Sequence, residues 1–277
     1  MLNKVKCKDD PLEYKFSKEH LEYLCKIKRR KISILITQIA VLVLFFLLWE
    51  LAARMKWIDT FLTSYPSQMW NLFLRLMRDG SLPKHIGVST FETVAGFISG
   101  TLLGTIVAVL LWWSDFISKV LDPYMVVLNA LPKTALAPIV ILWAGAGITG
   151  IVVTAMTVSI VVTILGVYGG FKEVDSEKVR MLETFGATKL QILNKVIIPA
   201  SIPTIINALK INVGLSWVGV IVGEFMVSRA GIGYLIVYGS QVFKLDLVMT
   251  SVIILAILAA LMYQGVAFLE NKLMKWR

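Results

Sequence analysis

The chain has 277 residues, 57% of them hydrophobic and only 17% charged, which leaves too little polar surface to cover a soluble globule of this size. Its net charge of +10 resides mainly in an N-terminal tail and in loops between apolar runs. Membrane topology and anionic headgroups account for that distribution, and a nucleic-acid partner is not expected. The only two histidines, His20 and His85, fall on opposite predicted sides of the membrane, which argues against a histidine metal site or a Ser/His/Asp triad within one chain.

Residues 1–31 read as a basic tail, in which Leu21, Leu24 and Ile27 at helical spacing make Ser17 to Lys31 a candidate surface helix. The first charge-free run, Ile32 to Trp49, is long enough to cross a bilayer, which takes about 20 residues. The long polar stretch before it argues for an anchor rather than a cleaved signal. Pro66 to Asp79 then carries Met69, Trp70, Phe73, Leu76 and Met77 on one side and is followed by Gly80, predicting an amphipathic helix with a glycine stop. In the second run, Thr93 to Ser114, Gly96, Gly100 and Gly104 lie four apart, a pattern that lets another helix approach closely.

A third span begins near Lys119 and is interrupted by Pro123, Pro132 and Pro138. Ala135 to Gly170 is too long for one crossing and is divided by Gly145, Gly147 and Gly150. The segment Gly145-Ala146-Gly147-Ile148-Thr149-Gly150 fits the G-x-G-x-x-G pattern. A dinucleotide site also needs a preceding strand and a soluble βαβ setting, whereas this glycine turn joins two apolar membrane runs. A fifth span, about Ala200 to Gly223, contains one charge, Lys210, and Leu247 to Leu269 forms the sixth.

The expected fold is therefore all-α: a polytopic membrane domain over 32–277 with spans near 32–52, 87–113, 119–143, 149–170, 200–223 and 247–269. With the N-terminus inside, inner segments carry 19 basic residues and outer segments seven. The positive-inside rule then puts both termini in the cytoplasm.

The segment 175–199 carries the sharpest local signals. Asp175 suits an N-cap, Glu177 sits in the first turn, and Val179, Leu182 and Phe185 recur three apart before Gly186. Thr188 to Gln191 has capping-box spacing and starts a second helix with Leu190, Leu193 and Val196, expected to end at Pro199. Such a hairpin either tucks against its own bundle or presents its stripe to a partner.

This loop resembles that of the permeases of type I ABC importers, which reads Glu-Ala-Ala, three residues, Gly, nine residues, then Ile-x-Leu-Pro. Gly186 matches the glycine, and Val196, Ile198 and Pro199 match the ending with aliphatic replacements. Arg180, Met181 and Leu182 stand where Glu-Ala-Ala would be, so the carboxylate at that position is missing, with Glu183 three residues on. Ser64-Tyr65-Pro66-Ser67, the stretch Leu131 to Pro138 with Leu142-Trp143-Ala144-Gly145, and Ser228 to Leu235 are similar to the nitrate, sulfonate and taurine branch.

The resemblance implies a type I importer permease fold working as a homodimer. A separate cytosolic ATPase dimer would bind ATP and Mg, and an extracytoplasmic binding protein would deliver substrate. The ATPase-coupling residues would be Val179, Leu182, Glu183, Phe185, Gly186 and Ala187. The chain itself contains no G-x-x-x-x-G-K-[ST] loop, so energy comes from a partner or an ion gradient.

For the transport path, ionisable groups within spans are the default candidates because a lipid-facing charge costs about 2.5–3.5 kcal/mol on insertion scales. Lys133 and Lys210 qualify, and Asn207, Lys210, Gly214 and Trp217 recur at three- or four-residue intervals. The alternative is that Lys210 snorkels, or pairs with Glu92 or Glu224 to hold the bundle together. A small anion such as a sulfonate, taurine or nitrate suits the lysines, while a pyrimidine vitamin precursor or a flavin fits the same resemblance. An ion-coupled secondary carrier is the reading from another class. Such carriers are built on internal repeats, and none is evident here.

Overall fold

The computed structural model describes residues 18–274, and these are helical throughout, with turns and short loops between helices. The chain divides into two compact units, residues 1–68 and 69–277. In the first unit, helix α1 (Lys18–Arg54) is continuous for 37 residues. Ser17 to Lys31 is thus not a separate surface helix. From Lys18 onward it is the polar extension of the first span, because the change from basic to apolar residues at Ile32 alters the solvent each turn prefers without breaking the backbone. Residues 1–17 of the expected tail lie outside the described residues. The one-turn helix α2 (Thr60–Thr63) is capped by Asp59, which accepts from the Phe61 amide at 2.9 Å. Glu50 near the end of α1 accepts from the Ser67 amide at 3.0 Å and from its hydroxyl at 2.7 Å, a contact within the first unit, and helix α3 spans Pro66–Arg78.

The second unit is built on α4 (Ser81–Trp113), α7 (Ile148–Lys172) and α10 (Ile198–Val227), with α7 packed between the other two. Small residues allow this. A Cβ at Gly96 would lie 2.6 Å from Ala155 Cβ, one at Gly100 would overlap Ser159 Oγ, and one at Gly104 would lie 2.6 Å from Thr163 Cβ. Gly219 of α10 also meets Ala155, at its backbone, and Gly223 meets Ile151. In lipid, where burial of apolar surface adds little, such backbone proximity supplies the dispersion energy that holds helices together. Buried hydrogen bonds add direction: Asn212 of α10 donates to Thr163 Oγ1, and Ser201 Oγ donates to the Gly170 carbonyl at 3.0 Å.

Five described helical segments are long and apolar enough to cross a bilayer: 23–54, 81–113, 148–172, 189–227 and 245–272. The expected third span is not one straight helix. It is α5 (Asp115–Ala130), a break at Leu131–Pro132, a 3-10 turn (Lys133–Leu136) and α6 (Ala137–Ala144), with an 89° bend. Pro132 disfavours helical geometry at Leu131 and cannot donate back into α5, so the helix ends there. Counted as one crossing, the bent pair is the sixth span. The glycine turn follows, with Gly145 at φ 90° and Gly147 at φ 113°, a left-handed backbone that joins α6 to α7.

The hairpin comprises α8 (Ser176–Thr184) and α9 (Lys189–Ile192), but its second helix does not end at Pro199. A π-helical turn, Leu193–Ile197, carries the chain directly into α10, with the Ile198 amide bonded to the Leu193 carbonyl. Pro199 offers no N–H to the Lys195 carbonyl and crowds it. The wider turn just ahead absorbs that misfit, so the helix continues. The remaining helices are α11 (Ile232–Gln241) and α12 (Leu245–Leu273), which pack on each other and on α10.

Candidate functional site

The hairpin at the 113 end of α4 forms as its local signals require. Asp175 accepts from the Glu177 amide at 2.9 Å, and Thr188 and Gln191 make a reciprocal capping box. Between them Gly186 takes φ 76°, where the turn demands a left-handed residue. The apolar stripe, however, is split. Val179, Leu182 and Ala187 turn inward onto a cluster of Ala108, Val167, Phe171, Ile192, Leu193 and Ile197. Phe185 is 77% exposed and Met181 56% exposed, and Glu183 also faces outward. The exposed apolar surface of α8 and its C-cap is therefore Met181 and Phe185, four residues apart, and Met181 is the residue that the three-residue spacing missed.

The transport-path candidates do not share one environment. Lys133 donates to the Asn129 carbonyl at 2.9 Å, capping the C-terminal end of α5 at the bend. Lys210 forms an ion pair with Glu270 of α12 beside the Tyr263 ring. Its partner is thus neither Glu92 nor Glu224. Those two carboxyls lie toward the other end of α4 and α10, whereas Lys210 faces the last turns of α12. Asn207 and Gly214 are exposed, and Trp217 is buried with Val213 and Val266. One edge of this α10 face is open and the other is packed.

A second constellation, at the opposite end of α4 and α10, holds the N-terminus of α11. Its first amides have no partners within the helix. The Gly231 amide donates to His85 Nδ1 at 2.9 Å and the Ile232 amide to Ser89 Oγ at 2.7 Å, while Glu224 Oε2 accepts from the Gly233 amide. The Ser89 hydroxyl also donates to Glu224 Oε1. Gly231 sits at φ 126°, and a Cβ there or at Gly233 would run into the Glu224 carboxyl. The glycines in Ser228 to Leu235 are thus explained by a carboxyl that fills the space. The His85 ring stacks on Tyr234, which stacks on Tyr238. Glu92, 1% exposed, lies beside Glu224 and makes no bond to α11. Among the described residues no group of three or more His, Cys, Asp or Glu side chains is placed to hold a metal.

Residues 100–275 match the family model described as the inner membrane component of binding-protein-dependent transport systems. An aliphatic sulfonates transport permease protein, SsuC, of Bacillus subtilis (strain 168) is 27% identical over 230 residues, 83% of each chain. The formylaminopyrimidine transport permease protein ThiX of Halalkalibacterium halodurans is 28% identical over 243 residues, 84% of this chain and 94% of that one. Among solved structures, a chain of a bacterial ABC transporter involved in import of the acidic polysaccharide alginate superposes with a TM-score of 0.62 at 13% identity. The match covers 90% of this chain and 99% of that one.

Proposed function

The chain belongs to the family of inner membrane components of binding-protein-dependent transport systems, and we propose that it is the permease subunit of an ATP-driven importer for a small anion. In this reading both termini are cytoplasmic, two copies of the chain form the pore, and an extracytoplasmic binding protein delivers the substrate. A separate ATPase dimer binds ATP and Mg and drives alternating access, and no covalent chemistry is performed on the substrate.

The observation that carries the reading is the pair of exposed apolar side chains at the end of α8, Met181 and Phe185, joined by exposed Leu190 of α9, on a hairpin whose Val179, Leu182 and Ala187 are packed on the bundle. Two such side chains on a short rigid helix are the anchors a partner's groove takes. Val179, Leu182, Gly186 and Ala187 then shape the hairpin, and Glu183 is the available carboxylate near the position where the family's motif has one. Sulfonate, taurine or nitrate as substrate is supported by the sulfonate relative and by Lys133 at the bend of the α5–α6 pair, whose only bonded partner among the described residues is a backbone carbonyl. The formylaminopyrimidine relative supports a pyrimidine precursor as the second reading.

Co-purification tests it. The wild-type chain in mild detergent should retain a co-expressed P-loop ATPase of the same source, and Met181→Asp with Phe185→Asp should release it while leaving the chain folded. Equal retention by both chains would remove the proposed docking role. Solute uptake driven by a proton or sodium gradient through the purified chain alone would replace the importer with a secondary carrier.

A further inference from the structure

Most of the hairpin's contact with the bundle is undirected apolar packing, but one side chain makes a directed bond. Lys189, the first residue of α9, places its ammonium 2.5 Å from the Trp113 carbonyl and 5.6 Å from the ring centroids of both Trp112 and Trp113. Trp113 is the last residue of α4, so its carbonyl belongs to the turn whose oxygens lack partners within the helix and carry the negative end of the helix dipole. The ammonium therefore satisfies an orphan acceptor, complements the dipole and is flanked by two indole faces, each of which attracts a cation. The capping box between Thr188 and Gln191 fixes the backbone from which Lys189 projects.

What lies beyond that contact gives it consequence. Ser114, the next residue, caps α5 by accepting from the Ile117 amide at 3.3 Å, and α5 runs to the 89° bend where Lys133 caps its far end. The Trp113–Ser114 corner is thus where α4 hands over to the bent segment, and Lys189 connects the hairpin to it across 76 residues of sequence.

We propose that Lys189 is a positioning residue that fixes the register of the hairpin against the α4–α5 corner and transmits hairpin displacement into α5. The transmission part rests on reading the hairpin as the ATPase-coupling element; the register part does not. Contacts of Val179, Leu182 and Ala187 resist separation of the hairpin from the bundle but offer little resistance to sliding, since apolar attraction is non-directional. A charge-assisted bond to one carbonyl, inside a cage of two indoles, resists sliding.

The test uses the full chain in nanodiscs, with spin labels at Glu177→Cys on α8 and Asp122→Cys on α5, in a Cys7→Ser, Cys25→Ser background. Distance distributions are compared for Lys189, Lys189→Met and Lys189→Arg. The wild type should give one narrow distribution, Met a broad one, and Arg, which keeps a cation and its donors, should restore the narrow form. Equal widths for all three would overturn the register role whether or not an ATPase binds. With the ATPase bound, ATP and Mg should displace α5 relative to a second label pair in the wild type and the Arg chain. In the Met chain ATP hydrolysis should persist, but the displaced fraction should fall roughly three- to thirtyfold. An undiminished displacement in the Met chain would overturn the transmission role. Failure of the wild type itself to bind an ATPase would count against the coupling reading and leave the width comparison to decide the register role.

Discussion

Replacing Glu224 with Leu removes the acceptor that seats α11. The Gly233 amide and the Ser89 hydroxyl lose their partner in a site that is 1% exposed at Glu224. The hydroxyl can rotate to another acceptor, so the amide sets the cost. At about 1–3 kcal/mol for a buried donor left unsatisfied, the seating of α11 weakens by at least about 1 kcal/mol. The α4–α7–α10 packing does not involve this carboxyl, so the loss should appear as local opening rather than global unfolding. Hydrogen exchange read by mass spectrometry on the full chain in nanodiscs should then speed up by roughly fivefold or more over residues 231–238, with residues 96–108 of α4 unchanged. Glu92→Gln is the control: it makes no bond to α11 and should leave those amides protected. Unchanged exchange in Glu224→Leu, or equal acceleration along α4, would refute the claim that Glu224 is a local clamp.

Three further outcomes follow from the same geometry. Gly104→Leu forces a side chain against Thr163, where even a Cβ would lie 2.6 Å from Thr163 Cβ, and should cost about 1–3 kcal/mol in a thermal or denaturant melt. The same change at Gly214, which faces open space, should be near neutral. Met181→Asp with Phe185→Asp should leave the melting temperature of the isolated chain within error while abolishing ATPase retention, because both side chains are exposed. For Lys210, the charge-swapped pair Lys210→Glu with Glu270→Lys separates two roles: recovery of uptake lost in Lys210→Gln identifies a structural ion pair. Failure to recover, with the swapped chain still folded, places Lys210 in the anion path.

The sequence was most informative where a signal is local. Asp175, Gly186 and the Thr188–Gln191 box each act within four residues, and each forms as its spacing predicts. The Gly96, Gly100, Gly104 series was also readable, because close helix approach requires absent side chains at that period whatever the neighbour is. Pro199 misled because a proline ends an α-helix only if the preceding turn cannot widen, and the π turn at Leu193–Ile197 widens it. The break at Leu131–Pro132 was marked by its proline, but an 89° bend depends on what α6 packs against. The partners of Lys210 and Glu224 were hidden for a different reason. Lys210 meets Glu270 sixty residues later and Glu224 meets Ser89 135 residues earlier, pairings that only the packed helices create. Helix α11 escaped notice because ten residues with glycines at its start look like loop, and its stability comes from amides held by neighbouring helices. Glu224 followed within ten residues by Gly231 and Gly233 was the available hint.

The central claim, that this chain moves solute by coupling to an external ATPase through α8, is tested most directly by uptake into proteoliposomes. These would contain the chain and its ATPase, with the binding protein outside and labelled taurine and an alkanesulfonate as probes. The account predicts uptake of an anionic probe that requires ATP and the binding protein together and is abolished by Met181→Asp with Phe185→Asp. Uptake that proceeds without ATP on an ion gradient, or that survives the double substitution undiminished, would contradict it.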